Sequence, residues 1–361
     1  MSQLKVERLE EYLTTVYKKK SKVLRVVPLK GEKSQDLKEF GYGVPYYIEF
    51  VVDQNTKRVV LETMRPEGFG HDYFSDRAAI LLWQHFSFNS LPNHVHSVDV
   101  GAFTSDDETL KSLGDCREFF IVTEFAEGEL YHSDLDRIKS EAGLMSVDEE
   151  RCVALSGYLA KIHSTKKNAP ELYLRRIRDL LGHGEGIFGL TDSYPKNLGY
   201  VDETYFTELE KACVEWRWQL KNKTHRLSQV HGDFHPWNIM FKEGLDFAVL
   251  DRSRGEWGEP ADDVSALTIN YLFYSLQTCG RIEGAFLRLF LLFWRNYLNR
   301  THDEEILDVV QPFYAWRSLV IASPLWYPKL TVETRSKILS FATRMLKTKT
   351  VDLDDFEHYF E

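Results

Sequence analysis

The feature that most constrains this chain is the stretch His231-Gly232-Asp233-Phe234-His235-Pro236-Trp237-Asn238-Ile239-Met240-Phe241. An aspartate followed five residues later by an asparagine, and then by an apolar run, suits a loop entering a β-strand. A second apolar run, Phe247-Ala248-Val249-Leu250, ends at Asp251, and Glu243-Gly244 supplies a turn between the two, so the runs read as a hairpin. That hairpin places Asn238 and Asp251 at neighbouring strand ends, where both offer oxygen ligands. Such ligands suit Mg²⁺, which keeps several waters and takes the rest from one or two carboxylates and substrate phosphates. Asp233, just upstream, stands ready to accept a proton from an attacking hydroxyl.

The order His-Gly-Asp-x-x-x-x-Asn, then an apolar strand ending in Asp, then Gly258-Glu259-Pro260-Ala261-Asp262-Asp263, resembles the aminoglycoside phosphotransferase-like kinases. Choline, homoserine, methylthioribose and fructosamine kinases belong to the same superfamily. The resemblance implies an α+β, two-lobed protein-kinase-like fold, with a small antiparallel-sheet lobe and a larger helical lobe. It also implies an enzyme, an ATP- and Mg²⁺-dependent phosphotransferase. Carried over by position, Asp233 is the catalytic base, Asn238 and Asp251 bind Mg²⁺, His231 orients the catalytic loop and Asp263 braces it. In protein kinases the H-R-D-x-x-x-x-N and D-F-G segments do these jobs. A polar turn before a plain hairpin is the bland alternative, and three distinct elements in order and spacing weigh against it.

Residues 1–124 are expected to form the N-terminal lobe. Helix formers fill residues 3–20, and β-rich runs follow at Val23–Leu29, Tyr46–Val52 and Arg58–Met64. A helix from about Asp72 to His85 and strands at Val95–Phe103 and Glu118–Glu124 complete a five-stranded, mostly antiparallel sheet with one crossing helix. Residues 125–361 read as mainly helical, interrupted by the catalytic hairpin. Ala154, Leu155, Tyr158, Leu159 and Ile162 form one apolar face leading to His163, and Leu209, Ala212, Cys213, Trp216 and Leu220 form another, both read as core. Phe286–Leu298 reads as a central apolar helix. The acidic end, Asp352–Glu361, reads as a solvated helix or frayed tail.

On the nucleotide side, Ile121-Val122-Thr123-Glu124-Phe125-Ala126-Glu127-Gly128 resembles the family's hinge. The resemblance implies that the Glu124 carbonyl and the Ala126 amide bind the adenine edge, while a plain strand–turn connection is the alternative. The phosphate turn is expected between Gly31 and Gly43, with Ser34 as a candidate cap and Gly41-Tyr42-Gly43 its only glycine pair. Val59-Val60-Leu61-Glu62-Thr63 carries the main departure, because Glu62 stands where the family places a phosphate-binding lysine. A carboxylate there repels phosphates, and so does its expected helix partner, Asp76. Arg58 is four residues away, roughly 13 Å along the strand, which leaves Arg65, Lys30 or Lys33 as replacement cations.

On the acceptor side, Arg252 and Arg254 follow Asp251 where the family commonly has an aromatic and an acid. They read either as contacts to phosphate, a carboxylate or sugar hydroxyls, or as a structural salt bridge to Asp262 or Asp263. Trp237 and Trp257 read as core packing, with an aromatic wall for a sugar ring as the rival. His235 is expected to be exposed. His183, Glu185 and glycines 182, 184, 186 and 189 mark an irregular insertion of the kind that shapes acceptor pockets in related kinases.

A net charge of −10 argues against general affinity for nucleic acid or anionic membranes. The four scattered cysteines, without a C-x-x-C pair, point to a reducing compartment, and no signal-peptide core or spanning run is present; a cytoplasmic protein is expected. The expectation is therefore a small-molecule kinase acting on a hydroxyl, with an amino sugar or aminoglycoside as the leading acceptor and an amino alcohol or another sugar behind it. Its rivals are a catalytically impaired, nucleotide-binding regulatory protein and an adenylyl-transferring enzyme.

Overall fold

The computed structural model describes residues 5–29, 43–66, 69–105, 109–141 and 143–360. Its contacts divide the chain into two compact units, Met1–Thr123 and Glu124–Glu361.

In the first unit, helix α1 (Val6–Tyr17) precedes strands β1 (Ser21–Pro28), β2 (Gly43–Val52) and β3 (Asn55–Met64), which form an antiparallel sheet in that order. Strand alternation sorts its faces. Ile48 and Phe50 pack on Leu9 and Leu13 of α1, joined by Val59 and Leu61. Arg58, Val60 and Glu62 take the opposite face of β3 and are exposed. Helix α2 (Phe74–Phe88) starts where Asp76 accepts the Tyr73 amide at 2.8 Å, so Asp76 serves as a helix cap. Among the described residues, strands β4 (Gly101–Phe103) and β5 (Leu110–Ser112) pair only with each other.

The expected five-stranded sheet is therefore corrected to three strands plus a separate hairpin. The run Val95–Phe103 contributes only its last three residues as strand, and Glu118–Glu124 forms none. Residues such as Phe120, Ile121 and Val122 favour β-structure by propensity, but a strand exists only where a neighbour completes its ladder. No described strand pairs with them, and their side chains are exposed. Ser34, Lys30, Lys33 and the Gly41-Tyr42 pair lie outside the described residues.

The second unit is helical around the hairpin that follows the His231–Asn238 loop. Strand β6 (Glu129–Leu130) leads into α3 (Tyr131–Glu141), α4 (Ser146–His163), α5 (Pro170–Gly182), α6 (Ile187–Ser193) and α7 (Glu203–Leu220). Four short strands follow: β7 (Ser228–Gln229), β8 (Ile239–Phe241), β9 (Phe247–Val249) and β10 (Trp257–Gly258). Helices α8 (Pro260–Cys279), α9 (Gly284–Thr301), α10 (Gln311–Ala322) and α11 (Val332–Lys347) close the chain. Helix α8 is buried on all sides from Pro260 to Leu276, its polar side chains included, and α9 and α10 pack on it. The apolar faces read from sequence on α4 and α7 are core, with Leu155, Leu159, Leu209, Cys213 and Leu220 buried.

The acidic end is a correction. Phe356 and Tyr359 are buried, and Phe360 stacks on Phe341 of α11 with ring centroids 4.3 Å apart. Aromatic residues three and four apart on one face dock the segment, while Asp352, Asp354 and Asp355 stay exposed.

Candidate active site

The hairpin forms as its apolar alternation requires. Ile239 pairs with Val249 and Phe241 with Phe247, with the turn at Glu243-Gly244. Arg151 of α4 holds that turn through the Gly244 carbonyl at 3.0 Å and covers the Phe241 ring at 4.3 Å. On the other edge β6 pairs with β8, and Gly128 precedes it with φ +132°; a β-carbon there would stand 2.2 Å from the Phe241 carbonyl oxygen. Glycine is thus required by close backbone approach. Glu124 and Ala126 lie just upstream in an exposed segment without regular structure.

Gly232, with φ +88°, turns the chain into the loop before the hairpin. The two amides at this turn, His231 N and Gly232 N, donate to the Asp263 carboxylate, each at 2.7 Å. Asp263 also accepts from His163 Nε2 at 3.1 Å, and His163 Nδ1 meets the Tyr297 hydroxyl at 2.8 Å. Burial raises the proton affinity of Asp263, but His163 and the loop amides outweigh it and hold the carboxyl below its ordinary range. Asp263 is positioned by the start of α8. Pro260 occupies the first turn, and Glu259 before it is fixed by Arg226 at 2.8–3.0 Å and by the Tyr173 hydroxyl at 2.9 Å. Acids in the first turn also suit the positive end of the helix dipole. His231 is buried, and burial keeps its imidazole below the usual histidine range, hence neutral near pH 7.

Asp233 is buried and held by two arginines. Arg254 Nη1 and Arg317 Nη1 each donate to its Oδ1 at 2.7 Å, and His235 Nε2 stands 3.6 Å from its Oδ2. Arg317, on α10, continues through Nη2 to Asp262 Oδ1 at 2.6 Å. Arg176 of α5 joins Asp262 at 3.4 Å and donates to the Arg254 carbonyl. Asp233, Arg317, Asp262, Arg176 and Arg254 thus form a closed ring of three guanidiniums and two carboxylates. Glu185 touches it from the α5–α6 loop, accepting Arg254 Nε at 3.3 Å, while its carbonyl accepts the Trp316 indole at 2.8 Å. Burial works against the Asp233 charge, yet His235, Arg317 and Arg254 more than offset it, so the carboxyl lies far below the usual range and is ionised throughout physiological pH.

Asn238 is buried, and its Nδ2 donates to the Asp233 carbonyl at 3.1 Å, which leaves Oδ1 as an available acceptor. The Leu250 amide donates to the Asn238 carbonyl at 2.8 Å, bringing Asp251 beside Asn238. Asp251 is exposed, has φ +51°, and its carboxylate has no hydrogen-bond partner among the described residues. A non-glycine residue in that region is uncommon and marks a constrained position. Two oxygen donors, one charged, fit a hard cation that takes its remaining ligands from water and phosphate. Among the described residues no group of three or more His, Cys, Asp or Glu side chains gathers for a metal.

Neither Arg252 nor Arg254 pairs with Asp262 or Asp263: Arg252 holds the Val230 carbonyl at 2.7 and 3.0 Å and the Glu256 carbonyl at 3.2 Å, and Arg254 holds Asp233. Their long donors found nearer acceptors than the acids at the start of α8, which Arg317, Arg176, His163 and the loop amides already saturate. Trp237 and Trp257 take the core-packing alternative, both half-buried against the core of the second unit. Trp237 stacks on His132 at 5.3 Å, whereas Trp257 lies on β10 beneath Lys167, because strand pairing takes Trp257 away from the catalytic loop. Glu62 has no hydrogen-bond partner among the described residues, and Arg58 is spent on Glu49 at 3.1 Å. The two arginines after Asp251 should therefore behave differently: Arg252→Ala should cost stability at constant acceptor KM, and Arg254→Ala should change turnover more than melting temperature. Thermal melts beside steady-state kinetics check this, and equal profiles for both variants would contradict it.

A model of the phosphotransferase enzyme family matches residues 94–295, more than half of the chain. The chain belongs to that family, whose members are small-molecule phosphotransferases. No curated protein sequence matches it. Among solved structures, it is similar to an amicoumacin kinase in complex with AMP-PNP, Ca²⁺ and Ami, at 14% identity over 91% of each chain with a TM-score of 0.43. A glucosamine kinase is 18% identical over 60% of this chain and 57% of that one, with a TM-score of 0.39. A choline kinase from Streptococcus pneumoniae is 13% identical over 94% and 98%, with a TM-score of 0.35. No helix among the described residues is long and apolar enough to cross a membrane.

Proposed function

We propose that this protein transfers the γ-phosphoryl group of Mg²⁺·ATP to a hydroxyl of a small molecule. The observation that carries the reading is the joint placement of Asp233, Asn238 and Asp251 on one loop and hairpin braced by Asp263. Asn238 Oδ1 and Asp251 would hold the cation, which neutralises charge on the phosphates when bound. Asp233 accepts a hydrogen bond from the acceptor hydroxyl through the oxygen not taken by the arginines, and receives its proton as the bond to phosphorus forms. An aspartate so strongly stabilised as an anion is a weak base. Its main contribution is therefore orientation, as expected for a reaction governed by positioning and electrostatics.

Glu62 and the exposed hinge segment favour a second reading, a nucleotide-binding protein without transfer. The braced loop argues against it, since an exposed Asp251 carboxylate held in the left-handed region beside Asn238 serves no structural contact. Adenine contacts from Glu124 and Ala126, and a phosphate contact from Ser34, remain part of the proposal on family resemblance.

The test is turnover on a panel of hydroxylated metabolites and aminoglycosides with Mg²⁺·ATP, reading ADP and AMP separately. ADP release supports phosphoryl transfer, AMP release supports adenylyl transfer, and neither on any acceptor sinks the enzyme reading. Asp251→Asn should abolish the enhancement of nucleotide binding by Mg²⁺, measured by calorimetry with and without the metal. Equal enhancement in variant and wild type would remove Asp251 from the metal site.

A further inference from the structure

A cavity of about 590 Å³ opens between the C-terminal half of α8, the start of α11 and the segment that joins α10 to α11. Lys139, Lys329 and Lys337 line it, against the single carboxylate of Glu333, on a chain whose net charge is −10. Glu333 is already taken by Lys337 at 2.8 Å, and Lys337 also caps the Gly280 carbonyl at 2.8 Å. Lys139 meets two neutral groups, the Gln277 amide at 2.8 Å and the face of the Tyr274 ring at 6.0 Å. Lys329 has no partner among the described residues. Two positive charges in this cavity therefore lack a counter-charge, and exposed Trp326 offers a flat apolar face beside them.

The cavity also adjoins the catalytic loop. Tyr327 forms its wall, and the Tyr327 ring packs 5.3 Å from Phe273 and 6.4 Å from Trp237, centroid to centroid. Burial and, after it, the Asp233 charge push the Tyr327 phenol up to about 12. One aromatic ring thus separates the cavity from the loop that carries Asp233. A polycationic acceptor would require carboxylates here, and the one present is neutralised. An acceptor with its own negative charge would meet unpaired ammonium groups, which make charge-assisted hydrogen bonds to carboxylate or phosphate oxygens.

We infer that this cavity holds the distal part of the acceptor, and that it selects an acceptor bearing a carboxylate or phosphate, in place of the amino sugar the sequence suggested. The inference rests on the phosphotransfer reading for its link to turnover, but binding tests it separately.

Calorimetry on the full chain with glucose, glucosamine, glucuronate and glucose 6-phosphate compares sugars that differ at one substituent. The two anions should bind more tightly than glucose, and glucosamine more weakly; the carboxylate and phosphate arms show which anion is preferred. Lys329→Glu, at an exposed unpartnered position, should weaken both anions about tenfold, the loss of one charge-assisted contact, and leave glucose unchanged. Tighter binding of glucosamine, no measurable binding of either anion, or equal anion affinity in the variant overturns the inference. Anion binding without turnover on any acceptor would instead defeat the phosphotransfer reading alone, and ADP release fastest with a cationic acceptor would defeat the anion assignment alone.

Discussion

Asp233→Asn should cut turnover by about 10²-fold or more, the usual scale for loss of a positioned general base, while the Kd for Mg²⁺·ATP stays nearly constant. The amide keeps the size of the carboxylate and can still accept one arginine, so the loop remains supported by the bonds of Asp263 to the His231 and Gly232 amides. What it loses is the negative oxygen that aligns the acceptor hydroxyl. The deficit should therefore appear in kcat, with a smaller change in acceptor KM, since an interaction made mainly in the transition state lowers kcat and kcat/KM together. Because the wild-type carboxyl is held far below its ordinary range by His235, Arg317 and Arg254, its protonation should not set the acid limb of the pH–rate profile near pH 4–5. Steady-state kinetics with a melting curve as folding control checks both points. Wild-type turnover in a folded variant would remove Asp233 from the mechanism.

The hairpin was legible because its signals are local. Alternation from Ile239 to Phe241, the turn at Gly244 and the interval from Asp233 to Asn238 all act within a few residues. The helical core was legible for the same reason, since period fixes which face is buried. The small sheet was misread where propensity needed a partner: Phe120 to Val122 look like strand, but pairing depends on residues far away in sequence. The docked end was misread because its acids mask a separate aromatic face, Phe356, Tyr359 and Phe360.

The ring around Asp233 was hidden for a different reason. Its members come from α5, the catalytic loop, the segment after Asp251, the start of α8 and α10, and no sequence interval links them. One signal was present: Arg317 stands inside Ala315-Trp316-Arg317-Ser318-Leu319-Val320, a charge in an otherwise buried helix. Such a residue is rarely buried without a charged partner. His163, at the end of an apolar face, carried a similar signal for its bond to Asp263.

Arg317→Met should be the most destabilising single substitution considered, by about 3–5 kcal/mol, the typical loss when one partner of a buried ion pair is removed. The methionine fills much of the volume, so the cost is electrostatic. Asp262 loses its 2.6 Å partner and keeps the longer Arg176 contact, and Asp233 keeps Arg254 and His235, at the more exposed side of the ring. The pH dependence separates this from a packing defect. In the wild type the folded-state pKa of Asp233 lies below its unfolded value, so the stabilisation is fully present above about pH 4 and is lost as the pH falls toward the folded value. The difference in melting temperature between wild type and Arg317→Met should therefore be largest near pH 7 and shrink at about pH 4 and below, where the unpaired carboxylates take up protons. The Asp233 pKa should also rise in the variant, bringing an acid limb into the pH–rate profile that the wild type lacks. Arg317→Lys, which keeps one charge but loses the fork that spans two carboxylates, should recover part of the stability and return the acid limb toward the wild-type position. A melting difference independent of pH, with an unshifted rate profile, would show that Arg317 acts by packing alone and has no hold on the charge of Asp233.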